Sequence, residues 1–235
     1  MVMVGHDDAL QTLFLLQVTD SGFPTGAFSY SHGLEGLYTA GLIAGVDEVS
    51  AFVTAQLEDG FAGIECPAMA LAWRAAKADS LAALVALDTS IDALKPVPVF
   101  RIGSVRTGRR LLESAAALLP ADLLHRYRAE VVAGRTCGHH AAVFGVVMAA
   151  AGIEERTAAL VFGASFVNGL TAAAVRLGII GQQAAQRIIA AHHPAVIRAA
   201  EQGLIRKREE MGAYLPHIDI AGLRQPNLTG RVFAS

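Results

Sequence analysis

The sequence predicts an all-α protein, a single-domain helical bundle of about ten helices that ends in a flexible C-terminal tail. Apolar residues recur at helical spacing through most of the 235 residues, of which 53% are hydrophobic and only 17% charged. Capping residues, prolines and glycines stand between the apolar segments, where helices should begin and end. No segment combines sustained apolar and polar alternation with hairpin turns, which argues against a β-sheet.

The first half of the chain is predicted to form a series of helices, each of which begins at an acidic residue or a proline. A carboxylate accepts hydrogen bonds from the free N–H groups of a first helical turn, and proline fits there because it lacks that N–H. The predicted helical segments, with the residues that start them, are 10–17 after Asp7 and Asp8, 47–61 from Asp47, 79–95 from Asp79, 99–119 after Pro96 and Pro98, and one from Pro120 and Asp122.

The second half predicts three more helices, at 139–153, 155–178 and 182–203. Gly134, Gly152 and Gly178 stand where helices should end, since glycine readily adopts the left-handed conformation of a helix terminus. The most apolar stretch, 158–175, contains serine, asparagine, threonine and two glycines and is followed by Arg176. That composition favours a buried helix or a subunit interface over a membrane span.

Charge and cysteine content exclude several classes of protein. A formal net charge of -2 and a sequence pI near 6.4 provide no field that attracts nucleic acid or an anionic membrane. The only cysteines, Cys66 and Cys137, require no disulfide framework, and the acidic start has no basic leader, so a cytoplasmic protein is expected. The mean hydropathy of +0.43 favours a protein partner.

Two motifs resemble known sites without completing one. GSVRTGRR (103–110) has the glycine spacing of a phosphate loop but lacks its lysine and hydroxyl residue, so its arginines and Arg101 are expected to form a solvated or partner-facing basic stripe. Cys137 and His140 are three residues apart and could share a helix face that holds one soft metal ion. Two ligands make a weak site, so we expect no tight metal site and no cofactor.

The stretch DSGFPTGAFSYSHGLE (20–35) is polar, aromatic and rich in glycine, unlike the rest of the chain. We predict a helix from about Phe28, on which His32 and Glu35 would share a polar face and could do acid–base work. No nucleophile or metal set accompanies them, so a recognition and packing surface is favoured and an enzyme is the alternative. The small residues of this helix would let another helix approach closely: Ser29, Gly33, Gly36 and Ala40.

The sequence divides into a helical domain, 1–216, and a C-terminal segment, 217–235. Pro226 and two glycines prevent a long helix in the segment. Its apolar residues exceed what a solubilising tail would carry: Ile218, Ile220, Leu223, Leu228, Val232 and Phe233. We therefore expect a partner-docking tail that is mobile in the free protein and ordered on binding.

Residues 24–35 resemble the signature of the urease accessory protein F family, P-x-G-[GAS]-[FY]-[ST]-[YH]-S-x-G-L-E. Four further runs resemble family motifs in order: 101–112, GHHAAVFG (138–145), 173–186, and the closing IDIAGLR and RVFAS. Gln225-Pro226 and Ala234 depart from the family's His-Glu pair and second basic residue. The signature matches are Pro24, Gly26, Phe28, Ser29, Tyr30, Ser31, Gly33, Leu34 and Glu35.

The resemblance implies a non-enzymatic chaperone of nickel delivery that dimerises and needs neither nucleic acid nor a membrane. It would bind urease accessory protein D (called H in some organisms), recruit the accessory GTPase G and load nickel into apo-urease. By resemblance Arg231 and Phe233 anchor the tail, and Phe28 and Tyr30 lie in the GTPase-facing region. The candidate partner-binding residues are Phe28, Ser29, Tyr30, Gly33, Leu34, Glu35, Arg176, Gln182, Arg224, Arg231, Phe233 and Ser235.

Two further expectations accompany this interpretation. The small residues of 141–175 permit close helix packing across an interface and predict a homodimer built from the second half of the chain. A soluble nickel carrier is a third possible function, which differs from an adaptor because it would need a nickel site of its own.

Overall fold

The computed structural model describes residues 4–227, 230 and 232–234, and every regular element in these residues is helical. The all-α prediction is therefore confirmed over the described part of the chain. Short 3₁₀ turns occur at Ala27–Ser29, Arg208–Glu210 and Gln225–Asn227. The α-helices are α1 Val4–Thr19, α2 Leu34–Thr39, α3 Val46–Ala55, α4 Cys66–Lys77, α5 Leu81–Leu94, α6 Pro98–Ala116, α7 Asp122–Val132, α8 His140–Ala150, α9 Glu155–Arg176, α10 Gln182–Ile205 and α11 Pro216–Arg224.

Helix α8 lies at the centre of the protein, with α4 packed along one side and α6 along another. Every residue from 141 to 149 is buried. Gly145 allows the close approach of α4, because a Cβ atom there would lie 2.2 Å from the Met69 carbonyl oxygen. The small residues of α8 thus pack within the core of the chain itself. Both α8 and α9 were predicted to face a second copy of the chain, and of these two helices only α9 has an exposed side.

Helices α3 and α4 form one continuous rod through a π-helical segment, Gln56–Glu65. The Cys66 N–H donates to the carbonyl oxygen of Phe61, five residues earlier, which is the wider hydrogen-bond pattern of a π-helix. The helix predicted at 47–61 therefore continues much further than expected. Gly63 lies in this wide segment and accepts a 3.0 Å hydrogen bond from the Gly212 N–H, which connects the rod to the chain before α11.

Most predicted helix ends are confirmed. Gly134, Gly152 and Gly178 have φ angles of 71°, 73° and 72°, the left-handed conformation expected after a helix. Two predicted starts are wrong. Helix α1 begins at Val4, before Asp7 and Asp8. Ser80 caps α5 in place of Asp79, its Oγ accepting a 3.3 Å hydrogen bond from the Ala83 N–H.

Helix α9 is long and apolar enough to cross a membrane by length and composition alone. Half of its apolar window is buried inside the protein, and the helix packs chiefly against α10. That burial is what the sequence led us to expect of a core helix.

The described part of the C-terminal segment lies on the body of the protein. Helix α11 packs against α2 and α6, and Ile218, Ala221 and Phe233 are buried. The helix ends at Arg224, in agreement with the expectation that proline prevents a long helix. The mobility of 217–235 in the free protein and the boundary after residue 216 stay predictions.

Candidate partner-docking site

The opening stretch does not form the helix predicted from Phe28. A 3₁₀ turn covers Ala27–Ser29, Tyr30 is extended, and α2 begins only at Leu34. The backbone passes through the left-handed region at His32 and Gly33, with φ angles of 53° and 88°, which no helix continues through. The stretch is therefore a folded loop that delivers its side chains to several neighbours.

The predicted close approach of a second helix is confirmed for two of the small residues. A Cβ atom at Gly33 would lie 2.9 Å from Ile218 Cγ2, and one at Gly36 would lie 2.8 Å from the Ala221 carbonyl oxygen. The helix that approaches is the chain's own α11. These two glycines therefore join the opening stretch to the C-terminal segment.

Glu35 connects the same two regions by hydrogen bonds. Its side chain is buried on α2, and its carboxylate accepts from Gln225 Nε2 at 2.6 Å and from the Phe233 N–H at 3.1 Å. The Val232 N–H donates to the other carboxylate oxygen. One buried carboxylate thus receives three donors from the described residues of the C-terminal segment, and we call this arrangement the Glu35 latch.

An arginine completes the connection. Arg176, the last residue of α9, places its guanidinium over two aromatic rings, 4.4 Å from the ring centre of Phe233 and 5.7 Å from that of Phe28. It also donates to the Phe28 carbonyl oxygen, while the Ser29 carbonyl oxygen accepts from the Ala234 N–H at 2.9 Å. Cation–π contacts of this kind favour arginine because its planar group stacks on a ring.

Apolar side chains remain exposed around the latch. Phe28 is 58% exposed, and the C-terminal segment exposes Ile220, Leu223 and Val232 to about the same extent. We call these four residues the latch surface. It belongs to elements that the latch holds together, so its shape depends on Glu35.

The remaining candidate residues divide into packed, exposed and undescribed ones. Tyr30 lies against α6, where a Cβ atom at Gly103 would come within 3.0 Å of its ring, and Leu34 is fully buried. Gln182 and Arg224 are exposed at the first residue of α10 and the last residue of α11. Arg231 and Ser235 lie outside the described residues. The partner-binding role of all these residues stays a prediction.

Gln225 is a site residue that the sequence reasoning missed. It stands at a departure from the family pattern, and no local signal marks it as a partner of Glu35. Its side chain is fully buried and donates to the latch carboxylate. In this chain the residue at that position is therefore a hydrogen-bond donor to Glu35.

The prediction that His32 and Glu35 form an acid–base pair on one helix face is wrong. The His32 ring packs edge-on against Phe166 at 5.4 Å between centroids, whereas the Glu35 carboxylate is bound by the C-terminal segment. Because His32 lies before the helix, the two side chains do not share a helical face. The two side chains therefore do not form the pair on which the enzyme alternative was based.

His32 instead belongs to a cluster of titratable residues with Glu65, Lys95 and His140. The four residues line a cavity of about 440 Å³ between the opening stretch, α6 and α9. Burial lowers the pKa of both histidines to about 4, so they are neutral at neutral pH. Burial acts to raise the pKa of Glu65, but its ion pair with Lys95 overcomes this and the pKa is lowered.

The prediction that Cys137 and His140 share a helix face that could hold a metal ion is also wrong. Helix α8 begins at His140, so Cys137 lies in the preceding loop and the two do not share a helical face. The His140 ring packs on Phe144 and Phe162. The Cys137 Sγ atom lies instead 3.6 Å from Asp92 Oδ1, in a group with His139.

The phosphate-loop spacing has a packing explanation. Residues 103–110 lie inside α6, and no strand precedes them in the described chain. Gly108 lets the loop before α8 cross α6, since a Cβ atom there would lie 2.1 Å from the Gly138 carbonyl oxygen. Arg106, Arg109 and Arg110 are exposed, as the predicted basic stripe requires, whereas Arg101 is half-buried and its Nε lies 4.0 Å from Asp92 Oδ1.

Comparison with known proteins identifies the family. A family model described as UreF matches residues 43–193. The chain is 30% identical over 230 residues to a urease accessory protein UreF of Trichodesmium erythraeum (strain IMS101), covering 98% of this chain and 99% of the relative. It is 33% identical to that of Paenarthrobacter aurescens (strain TC1), covering 97% and 99%, and 36% identical to that of Arthrobacter sp. (strain FB24), covering 95% and 96%. With its helical fold, its signature stretch and matches that span nearly its whole length, the chain belongs to the UreF family of urease accessory proteins.

Proposed function

We propose that this chain is a non-enzymatic adaptor in the assembly of the urease nickel centre. It bridges urease accessory protein D (or H) and the accessory GTPase G while nickel is inserted into apo-urease. Nickel is the cargo of that assembly, and the chain itself needs no resident metal or other cofactor. The adaptor acts in the cytoplasm, and its relatives are named urease accessory proteins, which supports the accessory role.

The Glu35 latch is the observation that carries this proposal. It uses a buried carboxylate to hold the C-terminal segment on the opening stretch, and both regions then expose apolar side chains. A buried charge with three donors is a costly way to stabilise a core, but it fixes the relative position of two segments well. Such positioning suits a surface that must match a partner.

A homodimer accompanies this function. Two alanines and an asparagine lie exposed at spacings of four residues along α9, at Ala164, Asn168 and Ala172, and the alanines permit close packing against a second helix. Light scattering of the purified chain at micromolar concentration should give the mass of a dimer. A monodisperse monomer would contradict this part of the proposal.

The test is a pull-down of accessory protein D and the GTPase G by this chain and its variants. Arg231→Ala, deletion of the last residues and Phe28→Ala should each reduce recruitment, because an aromatic side chain or a guanidinium that a partner buries at an interface centre can contribute about 2 kcal/mol or more. Val132→Ala, which truncates a 74% exposed side chain on α7, is the matched control and should recruit both partners normally.

Thermal melts separate docking from folding. Normal recruitment by the tail deletion and by Arg231→Ala would refute the docking role. A large loss of melting temperature on tail deletion would show that the segment belongs to the folding core. The purified chain alone should turn over no substrate, in contrast to the enzyme alternative.

A further inference from the structure

We propose that Asp92, Cys137 and His139 bind one exchangeable divalent cation of the borderline-soft class, such as Zn²⁺, Ni²⁺ or Co²⁺. Asp92 lies near the end of α5, and the other two residues lie in the loop between α7 and α8. The site goes beyond the adaptor function and does not depend on it. It uses residues that take no part in the Glu35 latch.

The three donor atoms are already arranged as the ligands of one ion would be. His139 Nε2 lies 3.2 Å and Cys137 Sγ 3.6 Å from Asp92 Oδ1, and all three atoms lie within 4.8 Å of one another. With metal–ligand bonds of about 2.1 Å to nitrogen and oxygen and about 2.3 Å to sulfur, tetrahedral coordination separates N from O by about 3.4 Å and S from O by about 3.6 Å. Binding therefore requires little movement of the ligands.

Neighbouring residues hold the histidine in the orientation a ligand needs. The His139 side chain is fully buried, and its other ring nitrogen, Nδ1, lies 3.1 Å from Ser104 Oγ on α6. A second partner on the far nitrogen fixes the ring and directs Nε2 to the ion, as outer hydrogen bonds do in metal sites generally.

A buried carboxylate fixes the loop itself. Asp88, one helical turn before Asp92 on α5, accepts hydrogen bonds from Thr136 Oγ1 at 2.6 Å, the Gly138 N–H at 2.6 Å and the His139 N–H at 2.8 Å. The loop therefore presents Cys137 and His139 to α5 on a rigid support. Preorganisation of this kind reduces the ordering cost of metal binding.

The site is open to solvent on one side, which suits an exchangeable ion. The Asp92 side chain is 39% exposed, so a cation can enter and keep water or a ligand from another protein in its remaining positions. Thiolate and imidazole donors favour borderline-soft ions over Mg²⁺ and Ca²⁺. Arg101 Nε lies 4.0 Å from Asp92 Oδ1 and competes for the carboxylate, which keeps the affinity moderate.

The probe is Co²⁺, titrated into the full-length protein. A bound thiolate gives a charge-transfer band in the near ultraviolet that histidine and carboxylate sites elsewhere do not give. The wild-type chain should show this band at one Co²⁺ per chain, and Zn²⁺ or Ni²⁺ should abolish it by displacement while Mg²⁺ should not.

The second cysteine provides a matched control. Cys66 is buried between α4 and α10, where its thiol donates to the Ala200 carbonyl oxygen. Cys66→Ala should keep the band and Cys137→Ala should lose it, while the partly exposed Asp92→Asn should weaken Co²⁺ binding at least about tenfold. Zn²⁺ should also slow the alkylation of Cys137, as measured by peptide mass spectrometry.

Circular dichroism of each variant separates loss of the site from loss of the fold. The proposal is overturned if the folded wild-type chain gives no thiolate band with Co²⁺, or if the band survives in folded Cys137→Ala. Undiminished Co²⁺ affinity in Asp92→Asn would equally overturn the three-ligand site.

Discussion

Replacing Glu35 by glutamine tests whether one buried carboxylate holds the C-terminal segment. Glutamine has the same shape but offers one acceptor oxygen and one NH₂ group to the three donors that now face the carboxylate. At least one donor must then face another donor. A hydrogen bond to a charged group contributes about 1.5–3 kcal/mol, and an unsatisfied buried donor costs about 1–3 kcal/mol.

From these terms we expect Glu35→Gln to weaken the docking of the C-terminal segment by about 2–4 kcal/mol. Native-state hydrogen exchange measures this weakening of segment docking at two individual amides, those of Val232 and Phe233, which donate to the carboxylate. Their exchange should accelerate about 30- to 1,000-fold, the equilibrium factors for that energy. Amides in the middle of α8 should exchange as in the wild-type chain, since the latch lies outside the central packing.

Glu113→Gln is the matched control, because Glu113 is exposed and its ion pair with Arg128 is 3.5 Å long. It should change neither set of amides measurably. Unchanged exchange at Val232 and Phe233 in folded Glu35→Gln would refute the latch. Equal acceleration at α8 would show a global loss of stability and would refute its local character.

Three further predictions concern stability. Gly33→Leu should destabilise the protein by about 1–3 kcal/mol or block partner binding, because it crowds α11; a variant with normal melting temperature and normal recruitment would contradict this. Lys95→Met should destabilise the protein by about 3–5 kcal/mol in denaturant unfolding, because it leaves Glu65 unpaired. The double variant with Glu65→Gln should recover much of that loss. Additive losses from the two changes would refute an energetic coupling between Lys95 and Glu65. His32 and His140 have pKa values of about 4 in the folded protein and about 6.5 in the unfolded chain, so the unfolded chain binds more protons between these values. The free energy of unfolding should therefore be largest above about pH 6.5 and fall as the pH drops towards 4. A free energy of unfolding that does not change across that window would contradict the buried neutral histidines.

The sequence alone determined the helical class, most helix ends and the family. Helical periodicity and capping chemistry act over a few residues, so Gly134, Gly152 and Gly178 could be assigned as helix ends before any contact was known. The small size of Gly33 and Gly36 likewise predicted that another helix comes close, though not which one.

Only the tertiary structure decided which side chains meet. Glu35 finds its partners in the C-terminal segment, Gln225 and Phe233 among them, and Cys137 pairs with Asp92 across 45 residues of sequence. The sequence placed His32 and Glu35 on one helix because it gave no sign that His32 itself would adopt a positive φ. Periodicity describes a residue's own turn of helix, whereas these contacts depend on how separate helices pack, and that is settled by burial summed over the whole core.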